Sequence, residues 1–218
     1  MKKKIKIAID SPAASGAGTQ AKLISKHYKL FYLDTGKSYR VLGKEYLKNK
    51  NKINLRKFKD KLNILKISSF SNKNLLSSKV GLAASYLAKD KRIRKIVDKF
   101  QRKIVINISK KYKGICLDGR DITYNIMPDA NVKFFLTASI KVRALRRTKE
   151  LKKNGYNTSI NEVYKSIKSR DKSDYTRSIA PLKITKDAIK INTSNLTIRK
   201  TFLILKNEID KKLSTKLK

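Results

Sequence analysis

Five short apolar segments along the chain have the patterns of β-strands. The first alternates apolar and polar positions, with Ile5, Ile7 and Ile9 two residues apart, and such alternation is typical of a strand. The others are brief apolar runs bounded by polar residues, which favours buried strands. The predicted strands cover residues 4–10, 30–33, 114–118, 132–137 and 188–191.

Longer segments between these strands carry the apolar spacing of amphipathic helices. After the first strand, Leu23, Ile24 and Tyr28 fall on one helical face. A strongly basic helix over 139–154 is followed by Gly155, a typical helix stop. The predicted helices cover residues 19–30, 37–50, 78–88, 93–112, 139–154, 159–170 and 196–213, with a charged loop after residue 170.

The alternation of strands and helices predicts the fold class. Strands separated by helices indicate an α/β protein with a parallel sheet covered on both faces. Residues 51–80 interrupt the alternation because they are polar and weakly patterned, so we predict a small insertion or flap there. With 218 residues, eight glycines and three prolines, the chain is predicted to form one domain without a linker.

Composition excludes several classes of protein. No apolar stretch approaches the roughly 18 residues of a membrane span, and the basic first segment alternates instead of forming the apolar block of a secretion signal. The single cysteine, Cys116, lies in an apolar run and is predicted to be a buried core thiol. One cysteine and one histidine do not suffice for a disulfide or a Cys/His metal site, so we expect a cytoplasmic protein.

The formal net charge of +39 could indicate nucleic-acid binding, because clustered Lys and Arg neutralise phosphates. The lysines are spread along the whole chain with abundant Asn and Ile, as an AT-rich coding bias would produce. We therefore expect weak, non-specific RNA binding and no specific nucleic-acid partner. The arginines are fewer and clustered, and arginine grips phosphate bidentately, so arginines mark the candidate sites.

The first strand end carries a candidate phosphate-binding loop, since ligands of such folds bind beyond the carboxyl ends of the strands. Gly16 and Gly18 let the backbone approach an anion, and the amides at the following helix start favour phosphate. A loop of the form G-x-x-x-x-G-K-[ST] would have a lysine where Ala17 stands and a glycine where Ser11 stands. Thr19 can offer its hydroxyl to phosphate or Mg²⁺.

Two further strand ends add carboxylates and arginines, in Asp34-Thr35-Gly36-Lys37-Ser38-Tyr39-Arg40 and Asp118-Gly119-Arg120-Asp121. An apolar strand that ends in Asp can orient the waters of Mg²⁺. Arginines recur later in the chain, at Arg143, Arg146, Arg147, Arg170 and Arg177. Phosphoryl transfer needs cations around the moving group and a water-excluding cover, and we expect mobile arginines on a helical flap to supply both.

In their order and in their residues, these motifs resemble those of bacterial cytidylate kinases, the P-loop nucleoside monophosphate kinases that act on CMP and dCMP. The resemblance runs over residues 5–213 and is most specific at 9–16, 32–36 with Tyr39 and Arg40, 118–121, 128–139 and 170–182. It implies a monomer with a three-layer P-loop NTPase-type fold and a five-stranded parallel sheet. Within a single domain, 1–218, it implies a small NMP-binding insert over 43–95 and an arginine-rich helical lid over 147–182.

The resemblance also implies a reaction, the transfer of the γ-phosphoryl group of Mg·ATP to CMP or dCMP. The implied ATP-binding residues are Ser11, Pro12, Ala13, Ala14, Ser15, Gly16, Ala17, Gly18 and Thr19. The implied CMP-binding residues are Thr35, Arg40, Ser85, Arg94, Arg120, Asp121, Arg170 and Asp174. The implied catalytic residues are Arg120, Arg170, Arg177 and Asp118, with Mg²⁺ reached through Thr19 or Asp118.

The chain departs from the family pattern at the loop. Ala17 removes a cation that would bridge the donor's phosphates, and losing one such contact should cost roughly 10²–10³ in rate. Lys37 stands where the family has a small residue and is the first candidate substitute, with Lys22 the second. An active CMP/dCMP kinase and a catalytically impaired relative that binds nucleotide or RNA both stay open, and so does a kinase for UMP or AMP.

Overall fold

The computed structural model describes residues 4–65 and 73–214 and contains one parallel sheet. The strand order is β2-β3-β1-β4-β5, and every described pairing is parallel. The strands are β1 (Ile5–Asp10), β2 (Phe31–Asp34), β3 (Gly114–Gly119), β4 (Val132–Thr137) and β5 (Ile189–Asn192). Each end lies within one residue of its prediction, and the α/β fold with five parallel strands is confirmed.

Eight α-helices surround this sheet in the described part of the chain. They are α1 (Ala17–Tyr28), α2 (Thr35–Lys48), α3 (Leu55–Asn63), α4 (Ser78–Leu87), α5 (Lys91–Ile106), α6 (Ile140–Lys153), α7 (Ile160–Thr176) and α8 (Ile198–Ser214). Helix α1 begins two residues earlier than predicted, and α5 ends at Ile106 instead of residue 112. None of these helices is long and apolar enough to cross a membrane.

The weak sequence pattern of residues 51–80 did not reveal helix α3. The Asn54 side chain caps this helix by accepting a hydrogen bond from the Lys57 amide at 2.9 Å. Phe58 and Leu62, four residues apart, are both fully buried. They pack with Leu42 and Leu87 of the neighbouring helices, so this segment has a small core of its own. Residues 66–72 of the predicted insertion lie outside the described residues.

The prediction of a charged loop after residue 170 was wrong, because α7 continues to Thr176. Its start is fixed by a capping box, in which Ser159 and Glu162 each bond the other's backbone amide. Val163 and Ile167 anchor the helix against α6. The charged residues of its last two turns therefore lie on a helix and not on a loop.

The core lies on both faces of the sheet, as the alternation in β1 requires. Ile7 and Ile9 pack with Cys116 and Phe134 against α1 and α8, while Ala8 faces α2 and α5 on the opposite side. Cys116 is fully buried, as predicted. The two apolar layers hold the strands parallel and bring their carboxyl ends together at one edge.

Asp10, the last residue of β1, fixes the turn that follows β3. Its buried carboxylate accepts hydrogen bonds from the amides of Ile122 (2.8 Å) and Thr123 (2.9 Å) and from the Thr123 hydroxyl (2.6 Å). These donors begin a single π-helical turn, Ile122–Ile126. Burial raises the pKa of Asp10 to about 6, against the opposing effect of these three hydrogen bonds. Asp10 thereby positions the backbone just after Arg120.

We predict that Asp10→Asn lowers the free energy of unfolding by about 1–3 kcal/mol. The amide keeps one acceptor oxygen, and its NH₂ group faces the backbone donors that the second oxygen satisfied. Urea denaturation at pH 7 measures the change. The matched control is Asp129→Asn, which removes an exposed partner of Lys6 and should cost less than about 1 kcal/mol. Equal losses in the two variants would contradict this role of Asp10.

Candidate active site

A cleft of about 970 Å³ opens at the carboxyl end of the sheet. Its floor is the loop between β1 and α1, and all nine residues from Ser11 to Thr19 line it. Its walls come from the start of α2, the end of β3, helices α6 and α7, and the segment after β5. This is the position at which parallel α/β sheets bind ligands.

The loop has the backbone geometry of an anion cradle. Ala14 (φ 61°) and Gly16 (φ 93°) both adopt the left-handed conformation, which turns successive N–H groups toward one side. Helix α1 begins directly after Gly16, so its unpaired amides add partial positive charge. Ala17 is 4% exposed and packs into the sheet core. It therefore contributes a methyl group to the core and no charge to the cleft.

Two arginines that we predicted to be mobile instead hold this loop in place. Arg143 is buried and donates to the Ala13 carbonyl (3.1 Å) and to Asp171 of α7 (2.6 Å). Asp171 in turn accepts a hydrogen bond from the Ala13 amide at 3.4 Å. Arg146 donates to the Thr193 carbonyl at 2.7 Å, next to the loop. The role of Asp171 was missed, because nothing in the sequence links it to Ala13.

Four arginines from four different elements converge on the cleft: Arg40 (α2), Arg120 (after β3), Arg147 (α6) and Arg170 (α7). Burial, together with the neighbouring guanidinium groups, lowers the pKa of Arg40 to about 9 and that of Arg170 to about 10. Asp174 pairs with Arg120 at 2.8 Å. The cluster holds more positive charge than its carboxylates balance, and such a cluster favours an anionic ligand.

Thr35 and Asp174 lie just behind this cluster and do not line the cleft. The Thr35 hydroxyl donates to the Asp118 carbonyl at 2.7 Å. Asp174 is buried between Arg120 (2.8 Å) and Arg177 (3.6 Å). Although burial alone would raise the pKa of Asp174, the surrounding guanidinium groups hold it below its usual value. Asp174 therefore stays ionised and orients two of the predicted catalytic arginines.

The predicted base-binding residues form a second, closed polar cluster. Arg94 (α5) pairs with Asp121, and both side chains are buried. Ser85 (α4) donates to Ser173 (α7) at 3.2 Å, so the two helices touch here. None of Ser85, Arg94 and Asp121 lines the cleft in this arrangement. The structure thus brings Arg94 and Asp121 together but keeps them apart from the loop.

Several polar atoms of this closed cluster have no partner. Among the described residues, Tyr39 Oη, Arg94 Nε and Arg177 Nη2 are buried without a hydrogen bond. The Arg94 guanidinium lies 5.7 Å from the centre of the Tyr39 ring. Buried polar atoms are nearly always hydrogen-bonded in native proteins. Three such atoms close together indicate a place where a polar ligand completes the bonding.

A carboxylate pair borders the loop on the side of β2 and β3. Asp34 and Asp118 occupy paired register positions at the two strand ends, and Asp118 Oδ2 lies 3.5 Å from where a Cβ on Gly18 would be. Burial and the nearby Asp34 charge hold the pKa of Asp118 well above its ordinary value. Hard oxygen donors of this kind suit Mg²⁺. The described residues contain no group of three or more His, Cys, Asp or Glu side chains that could hold a metal by themselves.

Comparison with known proteins identifies the family. The cytidylate kinase family model matches residues 7–211. The chain belongs to the cytidylate kinase family. The cytidylate kinase of Thermosipho melanesiensis is 43% identical over 204 residues, which cover 88% of this chain and 91% of that protein. The cytidylate kinase of Bartonella tribocorum is 40% identical over 207 residues, which cover 94% of each chain.

A solved structure shares the fold of this family member at low sequence identity. It is the crystal structure of an uncharacterized protein from Eubacterium ventriosum, with a TM-score of 0.53 and 17% identity. The match covers 95% of this chain and 99% of that one. It supports the three-layer arrangement of sheet and helices.

We predict that Arg170→Met weakens the binding of inorganic pyrophosphate at least ten-fold without lowering the melting temperature of the free protein. The substitution removes one charge-assisted contact to an anion, while it also removes a buried guanidinium that Arg120 and Arg147 repel. Melting curves with increasing pyrophosphate, at constant ionic strength, measure both quantities.

The matched control for Arg170→Met is Lys172→Met, on the exposed side of the same helix. It should leave the pyrophosphate affinity unchanged. If Arg170→Met instead melts several degrees lower and binds pyrophosphate normally, then Arg170 stabilises the fold and is not an anion ligand.

Proposed function

We propose that this member of the cytidylate kinase family transfers the γ-phosphoryl group of Mg·ATP to CMP or dCMP, giving CDP or dCDP. The observation that carries the proposal is the four-arginine cluster facing an anion-binding loop across one cleft, in a chain whose relatives are named cytidylate kinases. We further propose that the protein acts as a cytoplasmic monomer in pyrimidine nucleotide metabolism.

The donor side of the reaction belongs to the loop from Ser11 to Thr19. Its inward amides and the start of α1 would hold the ATP phosphates. Arg143, which lies outside the proposed lid, holds the Ala13 carbonyl, so that the cradle is already formed before ATP arrives. A preformed cradle stabilises the transferring group without reorganisation during the reaction.

The acceptor side belongs to the arginine cluster and the closed polar cluster behind it. Arg40, Arg120 and Arg170 would hold the CMP phosphate. Thr35 and Asp174, which lie just behind them, would reach the phosphate and a sugar hydroxyl once the site rearranges on binding. Arg94 and Asp121, with Ser85, would read the base, because a guanidinium donates to the acceptor edge of cytosine and a carboxylate accepts from its amino group. A site built on such pairs rejects bases that leave them unpaired.

Substrate entry requires α4 and α7 to separate, because they meet at the hydrogen bond between Ser85 and Ser173. We propose that residues 43–95 form the moving NMP-binding insert and residues 147–182 the lid. Closure would exclude water and bring Arg177 toward the transferring group. Such closure is a general way in which enzymes complete a catalytic arrangement.

The chemistry needs no covalent enzyme intermediate, since in-line transfer depends on positioning and charge. Arg120, Arg170 and Arg177 would stabilise the negative charge on the transferring phosphoryl group. The oxygen donors next to the loop fit Mg²⁺, and Asp118 and Thr19 would hold it through its waters. When bound, Mg²⁺ would neutralise part of the phosphate charge.

Ala17 is the feature that would suit a relative that only binds nucleotide or RNA. Against that alternative, the loop, both Asp-containing strand ends and the acceptor-side arginines all lie around one cleft. A protein without catalysis has no physical need for this full set. Phosphoryl transfer therefore accounts for more of the site's residues than nucleotide or RNA binding without catalysis.

We predict measurable ADP formation from Mg·ATP with CMP and dCMP, with a kcat/KM at least about 100-fold higher than for UMP or AMP. A coupled assay with purified full-length protein compares the four acceptors. Equal rates with UMP or AMP would contradict the assignment of Arg94 and Asp121 to cytosine. Absence of turnover with all four acceptors would contradict the kinase itself.

A further inference from the structure

The loop has the backbone geometry of an anion cradle, but it lacks the lysine that the phosphate-binding loop pattern has at position 17. Ala17 occupies the first position of α1, and its methyl group is buried in the sheet core. The amides of the cradle remain, but they carry only partial charges. If the protein transfers a phosphoryl group, a full positive charge near the donor's outer phosphates must come from elsewhere in the chain.

The described residues that line the cleft include eight cationic side chains: Lys22, Lys37, Arg40, Arg120, Arg146, Arg147, Lys149 and Arg170. Most of them are already engaged or unsuitably placed. Arg146 is held by Thr193, while Arg147 donates to the Leu76 carbonyl and pairs with Glu150 at 2.6 Å. Lys22 and Lys149 are exposed to solvent, so fixing either one on a phosphate would cost more side-chain freedom than fixing the partly buried Lys37. These constraints leave few candidates beside the loop.

Arg40, Arg120 and Arg170 are the arginines that we propose for the acceptor phosphate. Arg40 donates to the Leu75 carbonyl at 2.5 Å, and Arg120 is fixed by Asp174. Arg170 lies close to Arg120, whose charge helps to lower its pKa. Lys37 is the remaining cation.

Lys37 lies beside the carboxylates that border the loop. Its Nζ atom is 4.0 Å from Asp34 Oδ2, and Asp34 pairs in register with Asp118. Burial and Asp34 raise the pKa of Asp118, and the charges of Arg120 and Lys37 act against that rise. Asp118 itself borders Gly18, one residue beyond Ala17. Lys37 and the loop therefore line the same cleft, with these carboxylates between them.

The position of Lys37 in its own helix is unfavourable unless it serves another purpose. It is the third residue of α2, whose first turn contains no acidic residue. The N-terminal turn of a helix carries partial positive charge and favours carboxylates, not lysines. Its side chain is only 19% exposed. Residues that break a local rule in this way are expected at functional sites.

The Lys37 side chain is also free to reach toward a ligand. Within the described part of the chain its ammonium makes no hydrogen bond, and its sole ion pair is the long contact with Asp34. Four methylene groups give a lysine ammonium wide reach and three donors. A phosphate oxygen in the cleft would offer it a shorter, stronger partner than Asp34 does.

We propose that Lys37 binds the outer phosphates of ATP and supplies the charge that Ala17 cannot. This inference rests on the proposed kinase function and adds a catalytic residue to it. In the free protein Lys37 partly neutralises Asp34. In the complex it contacts the ATP phosphates. A lysine that follows β2 thereby takes the place of the lysine that the loop after β1 lacks.

A double-mutant cycle tests the proposal with native protein, Lys37→Met, Ala17→Lys and the double variant. Lys37→Met should lower kcat/KM for Mg·ATP by about 10²–10³. Adding Ala17→Lys should restore the rate to within about ten-fold of the native value, because the charge returns at the neighbouring position. Lys44→Met, on the exposed side of α2, is the matched control and should change neither rate nor binding.

Calorimetric binding of ATP and of CMP supplies the readout that does not depend on turnover. Lys37→Met should weaken ATP binding at least ten-fold and leave the affinity for CMP unchanged. Lys37→Arg should keep the affinity for ATP within about ten-fold of the native value. Unchanged ATP affinity in Lys37→Met overturns the proposal, and so does an equal loss for ATP and CMP. If the native protein is inactive with every acceptor, the proposed kinase function is wrong. The ATP affinity of Lys37→Met, measured by calorimetry, still decides whether Lys37 binds ATP.

Discussion

Repulsion among guanidinium groups is the constraint around which this site is built. Arg40, Arg120, Arg147 and Arg170 come from four separate elements and meet around one cleft. Burial and mutual repulsion lower the pKa of two of them, so the fold holds these charges at a cost in stability. The packing of α6 and α7 and the carboxylate of Asp174 keep them together. A bound phosphate would neutralise part of this positive charge and so reduce the repulsion.

The strands could be predicted almost to the residue because each is a short apolar run with sharp polar ends. Helix α3 was not predicted, since its apolar face consists of Leu55, Phe58 and Leu62 among lysines. The end of α7 looked like a loop because its charges are dense. In the structure Asp171 and Asp174 find arginine partners on other elements, and these tertiary contacts override the local preference.

The candidate site was predictable where its residues fall in one motif and unpredictable where they depend on distant contacts. The loop and the two Asp-containing strand ends lie in continuous segments, and their order was informative. The bridge from Arg143 and Asp171 to Ala13 joins residues that are 28 and 158 positions apart. Asp10 holds a turn more than a hundred residues away. No local pattern marks such pairs.

A cleft that binds ATP and CMP together would hold their phosphates facing each other between the loop and the arginines. A bisubstrate analogue, in which adenosine and cytidine are joined by five phosphates, tests this most directly by calorimetry. We expect one molecule bound per chain, at least 100-fold more tightly than ATP or CMP alone, because linking the two halves makes the second contact intramolecular. Binding no tighter than that of ATP alone would contradict it.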